Sequence, residues 1–106
     1  GKGIPNYSLV GASKGALESL CRHLAIELSD SNVRINVLSP GSVLTDAWNA
    51  FPDKDERLQI VLDKIPGGRL TSLEEVSAAA LFLCADASSA INGQVIVVDH
   101  GERISG

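Results

Sequence analysis

Apolar residues recur at intervals of three and four positions in the first third of the chain. Between residues 8 and 29 the regularly spaced apolar side chains are those of Leu17, Leu20, Cys21, Leu24 and Leu28. Because this spacing places them on one helical face, it predicts an amphipathic α-helix. The polar cluster at residues 29–32 predicts the end of that helix.

Two short apolar runs predict β-strands. The first covers residues 33–38 and is rich in β-branched side chains, and the second lies within residues 94–99. The second run has four consecutive apolar residues, which indicates a strand buried on both faces, and the first run follows a long helix, so we expect it to be a buried parallel strand as well. Since two strands alone do not form a stable sheet, we expect their neighbours to be supplied by other chain.

Helix signals occupy the region between these two runs. They lie at residues 46–51, 54–64 and 72–84. Ser72 followed by Glu75 is a capping-box signature, which opens the last of these helices. The order of helix, strand, helices and strand predicts an α/β fold with parallel strands, and its extent corresponds to about half of a domain.

The composition narrows the classes of function. The 106 residues are 44% apolar and 21% charged with a net charge of −4, as in a soluble globular protein. Lysines and arginines form no run and no apolar stretch is long enough to span a bilayer, so we expect neither nucleic acid nor a membrane as partner. Cys21 and Cys84 lie in apolar helical patterns, which predicts two buried thiols in a reducing, cytoplasmic compartment. No His or Cys cluster has the spacing of metal ligands, so no metal is expected.

Tyr7 and Lys14 are the candidate catalytic residues. Seven positions at about 100° each make nearly two helical turns, so both side chains project from nearly the same face. An ammonium beside a phenol favours the phenolate, and it can also hold hydroxyl groups of a bound cofactor.

The chain resembles the short-chain dehydrogenase/reductase superfamily over essentially all of its 106 residues. The motifs that carry the resemblance are Tyr-x6-Lys at a helix start, the loop at residues 40–45, Gly68-Arg69, the capped helix at residues 72–76 and the strand at residues 93–99. The resemblance implies that residues 1–106 are the C-terminal part of a single Rossmann-type domain. Its doubly wound parallel sheet would be incomplete on its own.

The spacing of the tyrosine and the lysine distinguishes between branches of this superfamily. The commonest members carry Tyr-x3-Lys, a spacing that would put the tyrosine at Val10, whose side chain cannot donate a proton. The spacing from Tyr7 to Lys14 instead resembles that of the third-type, NADPH-using enoyl-acyl-carrier-protein reductases. Moving the tyrosine back three residues shifts its backbone by about 4.5 Å, which suits a substrate whose oxygen lies farther from the atom that receives hydride.

The resemblance implies a reaction and two catalytic roles. The reaction is reduction of the double bond of a trans-2-enoyl thioester by hydride from NADPH, with NADH not excluded, in fatty-acid synthesis. Tyr7 would bind the thioester oxygen and stabilise the enolate, and Lys14 would bind the hydroxyls of the nicotinamide ribose.

The same resemblance implies a cofactor loop and a substrate lid. The residues that would shape the loop under the nicotinamide are Pro40, Gly41, Val43 and Thr45. The lid would extend over about residues 46–65, and Trp48 and Phe51 would offer apolar surface to an acyl chain. Arg69 and Glu75 are interpreted as structural residues. His100 stands where many members have a glycine, and we interpret it as a tolerated departure rather than a ligand.

Some of what a complete enzyme needs is absent from the sequence. A dinucleotide site requires a glycine-rich loop between a strand and a helix, and these 106 residues contain none. We therefore expect an N-terminal dinucleotide-binding part as a partner and no catalysis by this chain alone. The substrate would be an acyl thioester on acyl carrier protein or coenzyme A, and the assembly a homotetramer or a dimer.

Two alternatives stay open. One is another short-chain reductase or dehydrogenase, which acts on a 3-oxoacyl or a cyclic enoyl-CoA substrate. The other is a catalytically inactive relative that keeps the fold for binding or assembly, and Val10 in the usual tyrosine position favours it.

Overall fold

The computed structural model describes residues 14–43 and 45–105. The α-helices and β-strands follow one another in the order α1 (Lys14–Glu27), β1 (Val37–Pro40), α2 (Lys54–Lys64), α3 (Leu73–Cys84) and β2 (Val95–Val98). Short 3-10 helices lie at Ser29–Ser31, Asp46–Ala50, Asp86–Ser88 and Glu102–Ile104.

The two strands pair in parallel, as predicted. Val37 N–H donates to the Gln94 carbonyl over 2.8 Å, and Gly41 N–H donates to the Val98 carbonyl over 3.0 Å. Both partners advance in the same direction along the chain, which defines a parallel register.

The chain divides into two compact units. Of the described residues, the first unit contains 14–37 together with 88–95, and the second contains 38–43, 45–87 and 96–105. The first unit buries the Cys21 and Ala25 side chains of α1. The second unit buries Ile65, Thr71 and Asp99, and it contains the whole loop that follows β1.

Local sequence signals account for the helix boundaries. Helix α1 ends at Glu27 and is followed by the short helix Ser29–Ser31, as the polar cluster predicts. Helix α3 begins with the predicted capping box, in which Ser72 Oγ accepts from Glu75 N–H and the Glu75 carboxylate accepts from Ser72 N–H. The two bonds satisfy backbone donors that the first helical turn leaves free.

The first strand differs from its prediction in both position and burial. It begins at Val37 rather than at residue 33, because amide side chains take the place of strand partners just before it. Ile35 N–H donates to the Asn92 side chain over 3.0 Å, and the Asn36 side chain accepts from Gln94 N–H over 3.0 Å. Most residues of β1 and β2 are half-buried rather than buried on both faces, because within the described chain each strand has one neighbour.

The prediction of two buried thiols holds for Cys21 and is wrong for Cys84. The Cys21 thiol donates to the Ile35 carbonyl over 3.4 Å. Cys84 is exposed at the end of α3, where the nearby Leu81 and Phe82 are also exposed. The described chain therefore leaves this apolar stretch of α3 uncovered.

Two kinds of feature are absent from the described ranges. No helix there is long and apolar enough to cross a membrane. No group of three or more His, Cys, Asp and Glu side chains is arranged to hold a metal ion in that part of the chain.

Candidate active site

The loop that follows β1 contains most of the predicted cofactor-binding residues. Strand β1 ends at Pro40, beside the end of β2 at Val98. Ligands of open parallel α/β sheets bind outside the carboxyl ends of the strands. The structure therefore places Pro40, Gly41 and Val43 at the edge of the sheet where such a ligand is expected.

Position 41 requires glycine because the loop there lies very close to Asp99 and Glu102, which follow β2. A Cβ atom on Gly41 would lie 2.5 Å from Asp99 Cβ and 2.9 Å from Glu102 Oε1. Carbon atoms in favourable contact are about 3.5–4.0 Å apart, so no larger residue fits without movement of the backbone. Glycine thus lets the two segments touch just beyond the strands.

Thr71 fixes the next residues of the loop. Its N–H donates to the Ser42 carbonyl over 3.0 Å, and it forms an isolated parallel bridge with Val43. The Thr71 hydroxyl donates to the Val98 carbonyl over 3.3 Å, and the residue is 1% exposed. A buried side chain thereby ties the loop to the end of β2, a role that the sequence analysis missed.

The two backbone polar groups of Val43 differ in their hydrogen bonds to the described residues. Its carbonyl accepts a hydrogen bond of 3.0 Å from the Trp48 indole N–H. Its own N–H makes no hydrogen bond to another described residue. Among the described residues, then, nothing occupies the Val43 N–H, and its assignment to cofactor binding stays a prediction.

Thr45 opens the short helix Asp46–Ala50. Its backbone is extended and its carbonyl accepts from Trp48 N–H over 3.3 Å, but its hydroxyl makes no capping hydrogen bond. The side chain is exposed, so the hydroxyl is accessible to a ligand.

A cavity of about 460 Å³ opens beside this helix. Its lining residues are Thr45, Asp46, Trp48, Asn49, Lys54, Asp55 and Leu58. Lys54 Nζ donates to Asn49 Oδ1 over 3.0 Å, which joins the first turn of α2 to the short helix. The volume is within the range of small-molecule pockets, about 300–1,000 Å³.

The two predicted substrate-binding residues differ in their positions. Trp48 lines the cavity, whereas Phe51 is not among the lining residues. The Phe51 ring meets the Trp48 ring edge-on with centroids 6.5 Å apart, and the Arg57 guanidinium carbon lies 4.4 Å from the Phe51 ring centroid. Arg57 also donates to Asp53 over 2.8 Å, and this hydrogen bond lowers the pKa of the Asp53 carboxyl. The Phe51 ring therefore contacts Trp48 and Arg57 and does not line the cavity.

The predicted catalytic pair remains a prediction. Tyr7 lies outside the described residues, as does Val10. Lys14 is the first residue of α1, and its side chain is not described. The structure therefore brings together the residues of the loop and the cavity but does not test the two catalytic side chains.

A second polar cluster surrounds Glu75. Its carboxylate accepts from Ser72 N–H over 2.9 Å, lies 2.8 Å from His100 Nε2 and lies 3.4 Å from Arg69 Nη1. The Ser72 N–H, and after it the His100 hydrogen bond, lower the pKa of Glu75 to about 2. His100, whose φ of 54° is in the left-handed region, is a hydrogen-bond partner of the α3 cap.

The known proteins to which this chain is similar are described as reductases. A family model described as Enoyl-(Acyl carrier protein) reductase matches residues 1–102. The chain is 42% identical over 103 residues to a tropinone reductase homolog of Arabidopsis thaliana, which covers 97% of this chain and 39% of that protein. It is 41% identical over 105 residues to the NADH enoyl-[acyl-carrier-protein] reductase FabI of Synechocystis, which covers 99% of this chain and 41% of that protein.

Solved structures agree with this similarity. The crystal structure of Cj0485 dehydrogenase superposes with a TM-score of 0.78 at 29% identity, over 86% of this chain and 37% of that one. The chain thus spans about two fifths of the length of the curated relatives described above.

Proposed function

We propose that this chain, which belongs to the short-chain dehydrogenase/reductase superfamily, forms the nicotinamide-facing and substrate-facing part of an enoyl-thioester reductase. Its relatives are oxidoreductases, and its parallel α/β architecture is that of their Rossmann-type domains. Because the sequence contains no glycine-rich phosphate loop, we expect the complete cofactor site to need further polypeptide. The tests below therefore use the full-length protein that contains this chain.

One observation carries the proposal. The cavity of about 460 Å³ shares Thr45 with the loop that would lie under the nicotinamide, and Trp48, which also lines the cavity, donates a hydrogen bond to the Val43 carbonyl of that loop. Hydride transfer requires the donor and acceptor carbons to be in contact, so a substrate cavity must adjoin the nicotinamide site. A cavity that begins where the loop ends satisfies this requirement.

The described residues fit a nicotinamide. The Val43 N–H, which has no partner among the described residues, suits the carboxamide oxygen, and the exposed Thr45 hydroxyl suits the same group. Gly41 lets this loop lie against Asp99 and Glu102 after β2. The cofactor, when bound, supplies the hydride.

The chain's own catalytic residues would act on the substrate. As hydride reaches the β-carbon, the electron pair of the double bond moves towards the thioester oxygen. Tyr7 would donate a hydrogen bond to that oxygen, and Lys14 would bind the ribose and keep the local field positive. A proton delivered to the α-carbon would complete the saturated product.

A second candidate is favoured by the tropinone reductase homolog, because tropinone is a ketone. In that case the protein would reduce a carbonyl group. The usual tyrosine position for ketone reduction is occupied here by Val10. We therefore place the enoyl reaction first.

The test is a comparison of acceptors with the full-length protein. Oxidation of NADH and of NADPH is followed with a crotonyl thioester and with an acetoacetyl thioester, each on coenzyme A and on acyl carrier protein. Turnover of the crotonyl thioester alone would support the proposal. Turnover of the acetoacetyl thioester alone would contradict it, and the two cofactor series would decide the NADPH preference that we expect.

The assembly and the carrier are further parts of the proposal. We expect a homotetramer or a dimer, which light scattering of the full-length protein would measure. A monomer at the concentrations of the activity assay would contradict that expectation.

A further inference from the structure

The Glu102 carboxylate makes two hydrogen bonds to one residue of the loop after β1. Ser42 N–H donates to Oε1 over 2.9 Å, and Ser42 Oγ donates to Oε2 over 2.9 Å. Hydrogen bonds to an ionised carboxylate are about twice as strong as neutral ones. Both residues are half-buried, so water competes less for the carboxylate. Glu102 therefore holds both the backbone and the side chain of Ser42.

Glu102 is itself placed by a rigid turn after β2. Gly101 has a φ of 84° and precedes the short helix Glu102–Ile104. The Asp99 carboxylate accepts from Gly101 N–H over 2.9 Å and from Arg103 N–H over 2.8 Å. Since Asp99 is 9% exposed, these bonds are shielded from water. Hydrogen bonds within the turn thus position Glu102 independently of its contact with Ser42.

The hydrogen bonds of Ser42 determine the direction of the Val43 N–H. In a trans peptide the carbonyl and the following N–H point in opposite directions. The Ser42 carbonyl is bound by Thr71 N–H over 3.0 Å, so the Val43 N–H of the same peptide points away from Thr71. Glu102 binds the Ser42 N–H, which belongs to the preceding peptide, so both backbone polar groups of Ser42 are held and the direction of the Val43 N–H is restricted.

We propose that Glu102 is a positioning residue for the nicotinamide: through Ser42 it keeps the Val43 N–H directed at the cofactor's carboxamide. This inference rests on the proposed function. It assigns a role to a residue that lies 60 positions from its partner in the sequence.

The principal test measures cofactor affinity. Glu102→Ala and the control Arg103→Ala are compared with the unsubstituted full-length protein by calorimetric titration with NADH and with NADPH. Arg103 is the exposed neighbour of Glu102 in the same short helix, and its bond to Asp99 comes from the backbone, which alanine keeps. We expect Glu102→Ala to weaken cofactor binding about tenfold and Arg103→Ala to leave it unchanged.

Kinetics separate positioning from general damage. We expect Glu102→Ala to raise the KM for the nicotinamide cofactor more than it changes kcat or the KM for the thioester. Ser42→Ala removes the bond through Oγ alone, so its effect should be smaller, and the two substitutions should combine less than additively. Glu102→Gln keeps an acceptor for the Ser42 N–H and should restore part of the affinity. If Glu102→Ala does not fold, Ser42→Ala and Glu102→Gln are titrated in its place.

The outcomes distinguish the inference from the proposed function. Wild-type cofactor affinity in a folded Glu102→Ala protein, or equal losses in Glu102→Ala and Arg103→Ala, would overturn the positioning role and leave the proposed function standing. If the unsubstituted protein bound neither NADH nor NADPH, the proposed function would fail, and this inference with it.

Discussion

Replacement of Gly41 by alanine should destabilise the protein because of a contact rather than because of backbone strain. Gly41 is not among the glycines with positive φ, so alanine can adopt its backbone conformation. Its Cβ atom would nevertheless lie 2.5 Å from Asp99 Cβ and 3.0 Å from Asp99 Cα. The first distance is about 1 Å shorter than a favourable carbon contact. The Asp99 side chain cannot rotate away from the added Cβ atom without breaking its hydrogen bonds to Gly101 and Arg103.

The magnitude follows from two opposing effects. Overpacking of this kind costs about 1–3 kcal/mol. Alanine also restricts the unfolded chain, which offsets about 0.4–1 kcal/mol of that cost. The middle values of these ranges, about 2 and about 0.7 kcal/mol, lead us to expect Gly41→Ala to lower the free energy of unfolding by about 1.3 kcal/mol, measured by urea denaturation of the full-length protein.

Gly15 supplies a control of opposite sign. It lies within α1, and a Cβ atom there would meet nothing within 4 Å. Gly15→Ala should therefore raise stability by about 0.5–1 kcal/mol, the helix preference of alanine over glycine. A Gly41→Ala protein as stable as the unsubstituted one, with Gly15→Ala behaving as expected, would refute the close approach of the two segments.

Three further predictions concern single side chains. Tyr7→Phe should lower kcat for the crotonyl thioester by about 10²–10³-fold with the cofactor affinity kept, because removal of one oxyanion donor has costs of this order; undiminished turnover would remove Tyr7 from the mechanism. Trp48→Phe should lower stability by about 1 kcal/mol through loss of its hydrogen bond to the Val43 carbonyl, and unchanged urea denaturation would contradict the importance of that bond. Glu75 has a folded-state pKa of about 2, below its ordinary value of 4.5, so its contribution to stability is complete above pH 4.5 and is lost as the pH falls towards 2. Glu75→Gln should accordingly flatten the acid limb of the stability profile over that window, and a profile of unchanged slope would contradict the assignment.

The helices could be predicted from sequence because their signals are local. The interval assigned to α2, residues 54–64, agrees with the structure, and the capping box of α3 needs only Ser72 and Glu75. The sharp break after α2 likewise follows from neighbouring glycines, Gly67 and Gly68, both with positive φ. In each case the interacting groups lie within a few residues of one another.

Features that depend on distant residues were not predictable in the same way. The start of β1 depends on Asn92, whose side chain occupies the Ile35 N–H that a strand partner would otherwise take. The hydrogen bonds between Ser42 and Glu102 also join positions far apart in the sequence. Neither a serine nor a glutamate indicates by its type which distant residue it will bind. Exposure of Cys84 was missed because an apolar helical pattern shows which face avoids water but not which neighbour covers it.

The candidate site combines two kinds of constraint that can vary independently. The loop's conformation is set by buried or half-buried groups, above all Thr71 and Glu102, which bind the backbone of Ser42. The proposed choice between an enoyl group and a ketone depends instead on where the tyrosine stands relative to Lys14. A change at Thr71 or Glu102 should therefore alter the affinity for the cofactor to the same extent whichever substrate is used. A change in the position of the tyrosine should alter the ratio of rates with crotonyl and acetoacetyl thioesters while cofactor affinity stays constant, so the two constraints can be separated within one protein.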